Sequence, residues 1–236
     1  MTILVLSFAS YLFALWKMPL MYVGLVLQVG YIISRGVQLE RLPLVGPHDT
    51  LVFLAASLTA FSIPFGFQLE KKKEFFNVVT VSASLFTVVV MISGQHNSPL
   101  PPVLKTFWFE CHVVLAFMSY ALFGVAAIIG YFHLSEKESL TDSLQYRAAL
   151  IGYCLFTLSM IFGGIWAYLA WGTYWLWTPK ELWTSILWLF YSFYLHARLR
   201  QWWTGRPMAY LAIAGFAITM FTYLGVSLLM KSSHSF

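Results

Sequence analysis

Charged side chains are scarce in this chain of 236 residues. Lys, Arg, Asp and Glu together make up 10% of it, while hydrophobic residues make up 60%. Soluble globular domains carry about 25% charged residues, so this composition excludes a soluble protein. No stretch is polar enough for a separate soluble domain. Because a helix needs about 20 apolar residues to cross a bilayer, we predict an all-α, polytopic integral membrane protein, a helical bundle with one domain over 1–236.

Cysteine and the common catalytic motifs are also scarce. Cys111 and Cys154 are the only cysteines. They stand alone inside apolar runs, so we expect buried, inert thiols and no redox or metal motif. The sequence has no nucleotide-binding glycine motif, serine elbow or paired carboxylates. Its largest basic cluster is Lys71, Lys72 and Lys73, which marks a cytoplasmic loop better than a nucleic-acid site. We therefore expect no nucleic-acid partner.

The apolar runs predict about eight transmembrane helices. If the N-terminus is outside, nine of the 14 Lys and Arg residues lie on the inner side and five on the outer side, as the positive-inside rule requires. We therefore predict that the N and C termini are both on the outer side. The predicted spans are 2–16, 19–34, 50–67, 75–94, 106–132, 147–170, 182–198 and 209–230.

This topology assigns the histidines to sides of the membrane. His112 lies near the outer end of the fifth span, and His234 follows the eighth, so both share a side with an aromatic stretch over 171–183. His196 lies 15 residues beyond Glu181, which is about 22 Å of helical rise toward the inner leaflet. It cannot share a ligand with the outer pair. We expect His48 and His96 to be ordinary loop residues.

The aromatic stretch "WGTYWLWTPKELW", predicted to be an external loop over 171–183, has two explanations. Trp and Tyr collect at the headgroup level of any membrane protein. Alternatively, Trp171, Trp175 and Trp177 form a shelf for a flat ligand. Two histidines on the same face favour the shelf, because imidazole nitrogens are axial ligands of haem iron and a flat macrocycle needs flat apolar surfaces.

At these residues the sequence resembles the cytochrome c assembly (WWD-domain) family, in its CcsA/ResC branch, which is the haem-handling subunit of the system II cytochrome c synthase. "LKTFWFECHVVLAFMSYALF" resembles the segment with the first external haem histidine, here His112. The aromatic stretch and the helix after it resemble the family signature and the embedded histidine, here His196. "KSSHSF" resembles the terminal motif, with His234 as the second external ligand.

The resemblance implies a function in cytochrome c biogenesis. Haem b would be presented on the outer face, between His112 and His234 and against the tryptophan shelf, for thioether attachment to CxxCH motifs of apocytochrome c. The chain would then be a subunit of a haem lyase, a holocytochrome c synthase, although the sequence assigns no catalytic residue. The membrane would be the bacterial inner membrane or the thylakoid membrane, with the haem site on the periplasmic or lumenal side.

The resemblance also implies a second haem inside the membrane. His196 would supply one ligand, and a CcsB/ResB-like membrane subunit would supply the other. His133, at the inner end of the fifth span, is the only internal alternative.

Two departures from the family pattern favour another function. Thr178 stands where the family has aspartate, and the terminal motif lacks its glycine and tyrosine. The alternative is a haem-binding membrane protein without ligase activity, which regulates haem synthesis or transfers electrons. A transporter is a third class, disfavoured because few polar residues lie at mid-span, although Gly163 and Gly164 suggest a closely packed helix. Lys180 and Glu181 either orient haem propionates or cap a helix.

Overall fold

A computed structural model of the protein describes residues 1–95, 97–136 and 139–229, without the side chains of Glu136, Ser139 and Ser227. The regular structure in these residues is helical throughout. Six helices are long and apolar enough to cross a membrane, which confirms the predicted all-α, polytopic membrane protein. These six segments are Leu20–Leu39, Pro47–Gly66, Lys72–Ile92, Phe107–Ser135, Leu140–Trp171 and Arg206–Gly225.

Each predicted span corresponds to one helix, with ends that differ by several residues. The helix α1, with 13 residues, is short for a crossing. The helix α7 has 21 residues but is less apolar, because it contains Lys180, Glu181, His196 and Arg198. The helices are α1 (Thr2–Ala14), α2 (Leu20–Leu39), α3 (Pro47–Gly66), α4 (Lys72–Ile92), α5 (Phe107–Glu136), α6 (Ser139–Trp171), α7 (Pro179–Leu199) and α8 (Arg206–Met220).

The chain divides into two compact units, and the first, unit 1, is Met1–Pro99. In unit 1, α3 packs against α2 and α4, and α1 packs against the same two helices. A polar seam crosses the apolar interior: Tyr11 donates to Gln28, and Gln28 donates to Thr87, each over 2.9 Å. The seam satisfies polar groups that would be costly to bury alone.

Unit 2 begins at Leu100. Its centre is the antiparallel pair α5 and α6, with α8 packed on α5 and α7 in contact with α6 and α8. Phe123 of α5 stacks on Tyr191 of α7 at 3.6 Å. The helix α8 continues into a π-helix (Phe221–Gly225) and a short turn, α9 (Val226–Leu229). The single domain predicted over 1–236 stays a prediction.

Two expectations about single residues are wrong. Cys154 is exposed on α6 and Cys111 is half-buried, because an apolar run in a membrane helix also faces outward toward lipid. His48 is not a loop residue: it lies in the first turn of α3 and is 1% exposed. His96 lies outside the described residues.

Candidate functional site

His112 lies in the second turn of α5, half-buried against α6. Its Nδ1 is 2.8 Å from the carbonyl oxygen of Ser159. A carbonyl oxygen only accepts, so Nδ1 carries the ring proton and donates it. The lone pair therefore lies on Nε2, and a donated Nδ1–H bond of this kind is what metal-ligating histidines use to set their orientation. The Ser159 hydroxyl donates to the His112 carbonyl oxygen over 2.8 Å, which ties the two helices together.

The imidazole fits against α6 because residue 163 has no side chain. A Cβ atom at Gly163 would lie 2.6 Å from His112 Nδ1 and 2.9 Å from Cε1. These separations are too short for any real contact, so the ring occupies the space that a side chain would need. Gly164 differs, because its nearest neighbour would be the Tyr174 carbonyl oxygen at 3.7 Å.

The aromatic stretch forms a short connection between α6 and α7. The helix α6 ends at Trp171, Gly172 turns the chain with a φ of 73°, and α7 begins at Pro179. The connection is therefore shorter than the predicted 171–183. Trp171 is 37% exposed, Trp177 is 69% exposed and Trp175 is half-buried. The three tryptophans predicted to form the shelf thus lie on the connection or at its edge.

Glu181 holds the backbone on both sides of Trp177. Trp177 has a φ of 55°, in the left-handed region that non-glycine residues seldom adopt. The N–H groups of Leu176 and Thr178 donate to the same Glu181 oxygen, Oε2, over 3.1 and 2.8 Å. One carboxylate therefore fixes the unusual conformation that exposes this indole.

Thr178 is the N-cap of α7. Its hydroxyl accepts from the Glu181 N–H, and Glu181 accepts from the Thr178 N–H, which completes a capping box. Of the two interpretations of Glu181, this geometry supports capping. Threonine and aspartate can both cap a helix, so Thr178 supplies the structural part of what the family aspartate would do.

Further aromatic contacts brace the start of α5 against the end of α6. The Trp166 indole N–H donates to the Val103 carbonyl oxygen over 2.7 Å. Its ring lies 5.1 Å from Phe109 and 4.7 Å from Trp171. Gly163, beside His112, precedes Trp171 by eight residues, or about 12 Å of helix. His112 and the tryptophan connection therefore lie at the same end of unit 2.

The helix α7 crosses from this end of unit 2 to the other. Trp183 in its first turns packs against Phe221 of the π-helix, with ring centres 4.6 Å apart. His196 in its last turn is exposed, and its ring contacts the edge of Trp202 at 5.2 Å. One helix thus separates Glu181 from His196, by about 22 Å, so His196 cannot join His112 at one iron.

The remaining predicted ligands have different outcomes. His133 is buried near the C-terminal end of α5, and its Nδ1 lies 2.7 Å from the Thr141 hydroxyl. His234 lies outside the described residues, and its role as a ligand stays a prediction. Within the described part of the chain, no three His, Cys, Asp or Glu side chains could hold a metal ion together. A ligand bound through single imidazoles and flat rings fits this end of unit 2 better.

Sequence reasoning found the histidines and tryptophans and missed the residues that position them. These are Ser159, Gly163 and, as a holder of Trp177, Glu181. Two signals were available: the Gly163–Gly164 pair opposite a histidine-bearing helix, and the Thr-Pro-Lys-Glu order of a capping box. The Ser159 carbonyl carries no sequence signal, because every residue has one.

Together, the fold and this site define a polytopic membrane protein with a histidine and an aromatic surface at one end of its second unit. The family model "Cytochrome C assembly protein" matches residues 45–234, most of the chain. The chain therefore belongs to the cytochrome c assembly family.

The curated relatives are of one type within this family. The cytochrome c biogenesis protein CcsA of Guillardia theta is 31% identical over 86% of this chain and 79% of its own length. Those of Chlorella vulgaris and Chlamydomonas reinhardtii are 32% and 30% identical, over 87% and 92% of this chain and 80% and 67% of their own lengths. The chain is thus a CcsA-type member.

Proposed function

We propose that this chain is the haem-handling membrane protein of cytochrome c maturation that presents haem b at the outer face for attachment to apocytochrome c. The observation that carries the proposal is the bond from His112 Nδ1 to the Ser159 carbonyl. That bond leaves Nε2 as the free lone pair and fixes the ring plane, which an axial ligand needs. His234 is proposed as the second ligand on the same iron.

The tryptophans would hold the macrocycle. Trp171 and Trp177 are exposed next to the half-buried Trp175, and flat rings offer a porphyrin large contact areas at low entropy cost. Exposure here is an expense in water unless a ligand or a lipid surface covers the rings. The left-handed backbone at Trp177, held by Glu181, also fits a functional site, because strained conformations collect at such sites.

The attachment itself is an addition reaction in which haem is a substrate. Each cysteine thiol of CxxCH adds across one vinyl group: the S–H bond breaks, an S–C bond forms, and the proton goes to the other vinyl carbon. No oxidant is consumed. The contribution of this chain is to orient the haem edge toward the incoming peptide, and no residue of the chain has to bond covalently with either reactant.

His196 supports the proposal that a CcsB/ResB-like subunit joins this chain. It belongs to an exposed stripe on α7 with alternating spacings of four and three residues, the pattern by which one helix packs along another. An exposed imidazole within a lipid-facing stripe is costly, so a partner helix carrying a second ligand explains it best. The stripe consists of Leu182, Ile186, Leu189, Phe193 and His196.

The alternative, a haem-binding relative without ligase activity, depended on Thr178 and the altered C-terminal motif. Because Thr178 caps α7 in a complete capping box, its presence no longer favours that alternative. The terminal motif lies outside the described residues.

The first test is a reduced-minus-oxidised optical spectrum of the purified chain, expressed with haem supply. We expect a bis-histidine signal that His112→Ala and His234→Ala each weaken strongly. His196→Ala is the matched control, since it removes an imidazole from the opposite end of α7. It should change only a second signal that requires the partner subunit.

A reporter peptide with a CxxCH motif, assayed for covalently attached haem, then separates the two functions. Covalent attachment that requires His112 supports the haem lyase. Retained haem without attachment, in the presence of the partner, would favour the alternative. A wild-type chain that carries no haem under either condition would refute both.

A further inference from the structure

A second polar cluster, in unit 1, has more positive charge than its neighbours balance. Arg35 near the end of α2 donates to Asp49 Oδ1 of α3 over 3.2 Å, and both side chains are almost fully buried, at 5% and 0% exposed. Arg41 follows on the connection between these helices. Two guanidinium groups thus share one carboxylate, which leaves a net charge of +1.

Arg41 has no acceptor for the ends of its guanidinium group. Both terminal nitrogens, Nη1 and Nη2, are shielded from solvent, and no acceptor among the described residues reaches them. Asp49 Oδ2 is also without a described partner, so the carboxylate is not shared with Arg41. Glu40, the next residue, is exposed and forms no ion pair with it in the described structure. Shielding the guanidinium lowers the pKa of Arg41, and the nearby Arg35 adds to this effect while Asp49 opposes it.

The other titratable neighbours cannot supply the missing charge. His48 Nδ1 lies 3.0 Å from the Val90 carbonyl oxygen, so it carries the ring proton, and Nε2 accepts from the Tyr31 hydroxyl over 2.6 Å. Gln95 donates to the Tyr31 oxygen over 3.2 Å. These three groups form a neutral, mutually satisfied chain of hydrogen bonds. A shielded charge without a counter-ion is costly, so an anion is the missing partner.

We propose that Arg41 binds an anionic oxygen group, the phosphate of a lipid headgroup, at the α2–α3 end of unit 1. The site lies just beyond a membrane-spanning helix, where headgroups lie, and a guanidinium group matches phosphate oxygens in a two-pronged geometry. An exposed apolar stripe on α2 leads to it along the helix and suits an acyl chain. Its residues are Val26, Val29, Ile33 and Val37.

The test compares thermal unfolding of the full chain without haem in phosphatidylglycerol and in phosphatidylcholine nanodiscs. We expect phosphatidylglycerol to raise the wild-type Tm by several degrees, about what ligand linkage gives a chain of this size. Arg41→Gln should lose most of that increase, and its Tm in phosphatidylcholine should stay equal or rise, because a shielded charge has gone. Arg41→Lys keeps the charge without the fork and should retain part. Lys105→Gln, which removes an exposed lysine, should retain all of it.

A second arm distinguishes the lipid from a haem carboxylate, which has the same chemistry. Haem and haem dimethyl ester, which lacks free propionates, are titrated into wild type and Arg41→Gln. If the variant loses only the preference for free propionates, the anion site is supported and its ligand is haem. If Arg41→Gln matches wild type with both lipids and both haems, the site is refuted. Because the first arm uses no haem, its outcome is independent of the proposed function.

Discussion

His112 and His196 stand at opposite ends of unit 2 and differ in what surrounds them. His112 is half-buried, with its Nδ1 bonded to Ser159 and its ring against Gly163. His196 is exposed, and its described ring contact is the edge of Trp202. The first ring is oriented by its own chain, and the second is left open. The comparison suggests that one site is preformed within this protein while the other is completed by a partner.

The largest effect should come from removing the space that His112 occupies. Gly163→Ala adds a Cβ atom 2.6 Å from Nδ1, so the ring must leave its position, and we expect haem affinity at the outer site to fall about tenfold or more, or ~1.4 kcal/mol. Gly164→Ala is the matched control, because its Cβ meets its nearest neighbour at 3.7 Å. Haem titration followed by optical spectroscopy measures both. Equal losses in the two variants would mean that helix packing, and not the histidine, is responsible.

Releasing Trp177 should have the next largest effect. Glu181→Ala removes the acceptor for two N–H groups, at a cost of about 1–3 kcal/mol for a partly exposed carboxylate. We expect faster proteolysis between 172 and 178, and weaker haem binding. Glu181→Gln keeps a carbonyl oxygen and should lie between this variant and wild type. If Glu181→Ala changed proteolysis but left haem binding intact, Trp177 would not belong to the shelf.

A smaller effect is expected for Ser159→Ala. The substitution removes the hydroxyl that donates to the His112 carbonyl oxygen, but it keeps the carbonyl that orients the ring. We expect a loss of stability of about 0.5–1.5 kcal/mol, measured by thermal unfolding, with an unchanged haem spectrum. A spectrum altered as strongly as in Gly163→Ala would show that the hydroxyl, and not the carbonyl, positions the imidazole.

The smallest effect should come from restoring the family aspartate. Thr178→Asp keeps an N-cap and gains a helix-dipole interaction, but it adds a charge near Glu181, so we expect a stability change within about 0.5 kcal/mol. Thr178→Ala should cost about 1 kcal/mol. Covalent haem attachment to the CxxCH reporter is the second readout. A large gain in attachment with Thr178→Asp would assign the aspartate a chemical function beyond capping.

Much of the fold could be predicted from apolar runs, because a bilayer demands helices of a certain length and composition. Their ends could not, since caps and turns are local: α6 begins at Ser139 instead of 147, and α7 begins at Pro179 within the predicted loop. Cys154 was wrong because periodicity does not tell lipid from protein. For the site, single residues such as His112 and Trp177 were visible, but Gly163 and Ser159 act through contacts made only once α5 meets α6.

The π-helix at Phe221–Gly225 has a consequence for how homologous chains vary in length. A π-turn holds one residue more than an α-turn, and one residue corresponds to about 100° of rotation around a helix. Deleting one residue from this segment would leave Phe221 against Trp183 but swing all that follows to another azimuth. Natural selection should therefore tolerate many side-chain exchanges within Phe221–Gly225, yet guard its residue count closely.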